Sequence, residues 1–171
     1  DEMETRLEDV RKKLDDSRRE TRKVEEDIRR TLEELRREAK KYHEDSKEEL
    51  DDLRRRNITS EELKETIKRL EDRNRKLLED LERKIREIEK TLEDYLRRLE
   101  ERIDKLRREL DKGPKDEKLK EIKERIEKVL RENRDVVKKI KEDVRRALKE
   151  LEELVRKNNE DIKRLLDELR R

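Results

Sequence analysis

Apolar side chains recur along this chain every three or four residues with few exceptions. In the first third the rhythm runs from Met3, Leu7, Val10 and Leu14 through Ile28, Leu32 and Leu35 to Leu50 and Leu53. It continues from Leu63 to Leu110 and again from Leu119 to Leu169. The three runs cover 50, 47 and 50 residues in 14, 13 and 14 steps, a mean of about 3.6 residues per step. A strand alternates with period two; this period belongs to an α-helix with one apolar stripe. Because about 3.6 lies nearer the straight helix than a strict 3.5 repeat, any left-handed supercoil is expected to be slight or none.

Two interruptions divide the pattern into three helices. At Asn57-Ile58-Thr59-Ser60-Glu61-Glu62-Leu63, Thr59 and Glu62 have the spacing of a capping box, and Ile58 and Leu63 that of a hydrophobic staple. Asn57 is suited to end the preceding helix in a left-handed conformation. At the second interruption Gly113 is expected to supply the left-handed residue, Pro114 to forbid continuation, and Asp116 to cap the next helix. Acids at Asp1, Glu2 and Glu4 and bases at Arg170 and Arg171 suit the helix dipoles. The predicted helices are about 2–56, 60–112 and 115–170, each about 75 Å long. Turns this short make consecutive helices antiparallel. The expected fold is all-α: a single domain over 1–171, a long up-down-up three-helix bundle with coiled-coil-like packing.

Composition sharpens this picture by exclusion. Of 171 residues, 63% are charged and 27% hydrophobic, with one Gly and one Pro. Such values alone suggest a disordered chain, but disorder does not require apolar residues at fixed spacing. Basic and acidic residues number 55 and 53, leaving +2 overall, and they also nearly balance within each helix. Nucleic-acid binding usually needs a basic face, often with stacking aromatics, and neither is present. No apolar run approaches the roughly 18 residues of a membrane span, and an interfacial helix usually carries Trp or Phe. The N-terminal Asp1-Glu2-Met3-Glu4 has no signal-peptide pattern, and the compartment is unreadable. There is no Cys. His43 is the sole His, and Lys40 occupies the position where a Glu-x-x-His metal motif needs Glu. It is read as a surface or layer-flanking residue beside Tyr42. Carboxylates are abundant but lie on solvated faces, where nothing tunes them as acid and base. No catalytic, cofactor-binding or metal-binding residue is expected.

The polar residues inside the apolar stripe are the most specific signal. If Leu53 faces Leu63 and Leu110 faces Leu119, antiparallel neighbours have positions summing to about 116 and about 229. Tyr95 then shares a level with Thr21 and Asn133, with Ser17 one turn away. Tyr42 shares another with Asn74 and Asn158, with Ser46 nearby. A buried polar group without a partner costs about 1–3 kcal/mol, so grouping such residues is what hydrogen-bonded layers would require. The competing reading has them wet, at the edge of the stripe. Leu78, Leu96, Leu130, Val137, Leu148, Val155 and Leu166 flank the stripe; they either widen the buried surface or mark a weak external contact.

Taken together, the strict pattern, the idealised caps, the Ser, Thr, Asn and Tyr layers and the Glu, Asp, Lys and Arg surface resemble de novo designed helical bundles with buried hydrogen-bond layers. The resemblance spans the whole chain. It implies a structural scaffold without natural activity, cofactor or partner, monomeric and with helicity persisting above about 90 °C. The alternative is a designed interaction module or assembly subunit using a helical face. A natural spectrin-like spacer is a weaker match, because spectrin repeats carry a characteristic Trp that this chain lacks.

Overall fold

The computed structural model describes residues 2–113 and 117–170. It is all-α, a bundle of three helices: α1 (Glu2–Arg55), α2 (Ser60–Asp111) and α3 (Glu117–Arg170). Their contacts gather into two compact units, each drawing on all three helices. Unit 1 takes residues 1–30 and 88–143; unit 2 takes 31–87 and 144–171.

The first connection is capped much as its sequence suggests. The Glu62 N–H donates to Thr59 Oγ1 at 3.3 Å, and the Leu63 N–H donates to the Thr59 carbonyl at 3.0 Å. Ile58 and Leu63 both pack on the apolar cluster of Leu50, Leu53, Ile67, Leu70, Ile162 and Leu165, as staple residues do. The helix C-termini differ from expectation. No described residue has positive φ, so neither Asn57 nor Gly113 is left-handed. Instead the Arg56 N–H continues the α-helical ladder to the Asp52 carbonyl at 3.1 Å. The Gly113 N–H tightens the end of α2 by donating to the Leu110 carbonyl at 3.2 Å, the three-residue spacing of a 3₁₀ turn. Satisfying the last carbonyls by tightening removes the need for a left-handed cap. Pro114 and Asp116, with Asp1, Arg171 and the side chain of Arg170, lie outside the described residues.

In unit 1, Leu7, Val10 and Leu14 of α1 pack with Leu99, Ile103 and Leu106 of α2 and with Ile122, Ile126 and Val129 of α3. The start of α1 therefore meets the end of α2 and the start of α3, the up-down-up order. Burial on α3 is wider than one residue per step. Leu130, Val137 and Val155 are as buried as stripe residues, while the stripe residues Val136 and Leu154 are only half-buried. Leu78, Leu96, Leu148 and Leu166 are half-buried at the edges of the stripe. A helix that touches two others needs a broad apolar face, and the flanking residues supply it.

Charged side chains span the helix pairs at constant offsets. In unit 1, Lys118–Glu4 (3.3 Å) and Arg18–Glu132 (3.2 Å) join α3 to α1 across 114 positions. In unit 2 the same separation recurs in Arg36–Glu150 (3.1 Å) and Arg54–Glu168 (3.0 Å). A constant difference is the mark of parallel helices. Between α1 and α2 the pairs are Arg102–Glu20 (3.0 Å) in unit 1 and Lys84–Glu38 (3.6 Å) and Arg73–Glu49 (3.2 Å) in unit 2. Each pair sums to 122, and a constant sum is the mark of antiparallel helices.

Candidate functional site

Ser17, Thr21, Ser46, Asn74, Asn133 and Asn158 are the buried polar side chains among the described residues. All six belong to the two levels expected from the sequence, three in each unit. The tyrosines of those levels, Tyr95 and Tyr42, are half-buried beside them.

In unit 1 the polar residues form two hydrogen-bonded runs that meet at Ser17. Thr21 donates its single hydroxyl proton to the Ser17 carbonyl at 2.9 Å. Its Oγ1 lies 2.7 Å from the Tyr95 hydroxyl, so Tyr95 is the donor in that bond. Asn133 Nδ2 donates to Ser17 Oγ at 3.1 Å. The positions of Thr21 and Tyr95 sum to 116, the register expected from the turns. These bonds tie α2 and α3 to the Ser17–Thr21 turn of α1. Burial raises the Tyr95 pKa above its ordinary 10.0. The phenol is neutral at moderate pH and acts as a donor.

In unit 2 the same residue types are linked in pairs. Asn74 Nδ2 donates to the Val155 carbonyl at 3.1 Å and to Asn159 Oδ1 at 2.6 Å, joining α2 to α3. The positions of Asn74 and Val155 sum to 229, again the expected register. His43 Nδ1 donates to Asn158 Oδ1, joining α1 to α3. Burial raises the Tyr42 pKa, and the Ser46 hydroxyl one turn along α1 opposes the rise. The Arg73 guanidinium lies 5.9 Å from the Tyr42 ring centroid while holding Glu49, so a cation–π contact completes the link between α1 and α2.

Two partners in unit 2 were not among the expected level residues. His43, read as a surface or layer-flanking residue beside Tyr42, bonds the level residue Asn158. Asn159 lies one position off the stripe, and its signal was compositional: it is uncharged on a surface of Glu, Asp, Lys and Arg. Among the described residues, no three His, Cys, Asp or Glu side chains converge as a metal site. No helix there is long and apolar enough to cross a membrane.

No protein-family model matches the chain, and no curated protein is significantly similar to it in sequence. Among solved structures it is similar to a computationally designed three-helix bundle, with 22% sequence identity over 98% of this chain and 83% of that chain, at a TM-score of 0.45.

Proposed function

We propose that the chain is a designed structural scaffold: one monomeric domain over residues 1–171, with no catalytic activity of its own and no cofactor. The observation that carries this reading is the allocation of side chains. Every buried polar residue among those described belongs to one of two levels. The remaining buried positions are apolar, and the exposed positions are almost wholly charged. The one large apolar side chain exposed among the described residues is Leu169, at 42%, in the last turn of α3. Residues arranged to specify packing and orientation, with little apolar surface left over, suit a scaffold.

Size-exclusion chromatography with light scattering tests the monomeric state. The expected mass is 21.4 kDa, and twice or three times that mass at micromolar concentration would favour an assembly subunit. Differential scanning calorimetry tests the single domain. One transition with matching calorimetric and van't Hoff enthalpies is expected, whereas two resolved transitions would make the units separate domains.

A further inference from the structure

The polar level of unit 2 contains two buried amide atoms without a protein partner, Asn74 Oδ1 and Asn158 Nδ2. Their parent residues are 0% and 2% exposed. The two side chains meet at one turn of α3. Asn74 bonds Val155 and Asn159 of α3, and Asn158 lies in the same turn of that helix. Both carboxamides are anchored at their other end: Asn74 uses its nitrogen, and Asn158 gives its oxygen to His43. The unused atoms are one acceptor and one donor.

We infer that unit 2 holds one structural water molecule, donating to Asn74 Oδ1 and accepting from Asn158 Nδ2. Buried waters occupy sites where two to four polar groups lack other partners, and native interiors rarely leave such groups unpaired. The structure makes no direct bond between the two amides, each of which keeps its anchor at the other corner of the group. The bridge also survives reversal of the Asn158 carboxamide. Its nitrogen would then face His43 and two acceptors would remain, which the two O–H groups of one water can serve. Asn158 is therefore held on one side by a residue of α1 and on the other by a bound water.

Oxygen-17 relaxation dispersion of the solvent counts long-lived water molecules and tests the inference on the full chain. The wild type is expected to show one more such water than the Asn74→Leu/Asn158→Leu double variant, and equal amplitudes would overturn the assignment. If the double variant does not fold, the wild type alone decides. Water–amide Overhauser cross-peaks are expected at the side-chain amide protons of Asn74 or Asn158, and should persist in Ser46→Ala, which removes the nearby hydroxyl. Their absence, or their loss in Ser46→Ala, would overturn it. So would a scalar coupling across a direct Asn158–Asn74 hydrogen bond.

Discussion

The two polar levels are built from nearly the same residues yet are wired differently. Unit 1 combines Ser17, Thr21 and Tyr95 with a single carboxamide, Asn133, whose nitrogen reaches Ser17. Unit 2 combines Tyr42 and Ser46 with two carboxamides, Asn74 and Asn158, each leaving one buried atom without a protein partner. The difference lies in the side chains. A hydroxyl rotates to suit its surroundings and can bond its own helix, as Thr21 does with the Ser17 carbonyl. A carboxamide is planar, with donors and acceptor fixed at opposite corners. One such group fits easily among hydroxyls; two at one level need reciprocal orientations or a third partner. Unit 1 has an unpartnered atom as well, Arg18 Nε. That side chain, however, is 38% exposed and holds Glu132 through Nη2.

The largest effect should not distinguish the units. Leu99 in unit 1 and Leu81 in unit 2 are both buried core residues. Truncating either to Ala removes transfer free energy and leaves a cavity, at a cost of about 2–5 kcal/mol. Denaturant unfolding of the two variants should give losses of similar size. If Leu81→Ala is much cheaper, the apolar layers of unit 2 are looser, and the contrast between the units extends beyond their polar levels.

The sharpest contrast should come from the carboxamides. Asn133→Leu deprives the buried Ser17 Oγ of its donor and is expected to cost about 1–3 kcal/mol. Asn158→Leu removes an amide with one protein partner and releases His43, which is half-buried and can turn to water. Its cost should fall below about 1 kcal/mol, and it could stabilise. Replacing Ser17, Thr21, Tyr95 and Asn133 together by apolar residues of similar size should be neutral or stabilising, with less unique packing. Equal losses for Asn133→Leu and Asn158→Leu would mean that the wiring difference has no energetic consequence.

These contrasts also mark where the sequence stops being legible. The stripe spacing yields three helices, and the Thr59–Glu62 pair places the start of α2, because both follow from local chemistry. The register follows from turn length, and the Thr21–Tyr95 and Asn74–Val155 contacts have the expected sums. The helix ends are less readable. Asn57 and Gly113 permit a left-handed cap, but the adopted alternative of continuing or tightening the last turn leaves no trace in residue identity. Bond partners inside a level are less readable still. Asn133 shares a level with Tyr95 but bonds Ser17; Asn74 shares one with Asn158 but bonds Asn159. Those choices depend on side-chain rotamers and on which helix face leans inward, neither of which spacing determines.

Alkaline pH should reach both levels through their tyrosines. Burial raises both phenol pKa values above 10.0. A raised folded-state value means that the folded state holds the proton more tightly than the unfolded chain. The stabilisation is therefore fully present below pH 10 and is lost as pH rises through the folded-state values. Urea midpoints measured across that range should fall with pH in the wild type, and less steeply in Tyr95→Phe and in Tyr42→Phe. Tyrosinate absorbance should appear later than in the unfolded chain. A flat wild-type profile would place both phenols in solvent.

The smallest effect belongs to the surface pairs, although they are the most numerous polar contacts between helices. Arg102 and Glu20 in unit 1 have side chains 63% and 48% exposed, and Arg73 and Glu49 in unit 2 are 45% and 43% exposed. Exposed pairs gain little because water screens the attraction and ordering two long side chains costs entropy; about 0–1 kcal/mol is typical. A double-mutant cycle with Glu20→Gln and Arg102→Met should therefore give a coupling below about 1 kcal/mol, shrinking further as salt is added. The Glu49–Arg73 cycle adds a complication that makes the two units comparable in a new way. Arg73 also lies over Tyr42, so Arg73→Met removes a cation–π contact as well as an ion pair. The cycle cancels the part of that loss that does not depend on Glu49. The coupling should accordingly match that of Glu20–Arg102, while the single Arg73→Met variant costs more than Arg102→Met. If Arg73→Met is no costlier than Arg102→Met, the guanidinium above Tyr42 contributes nothing, and apolar packing and exposed ion pairs join α1 and α2 in unit 2 without it.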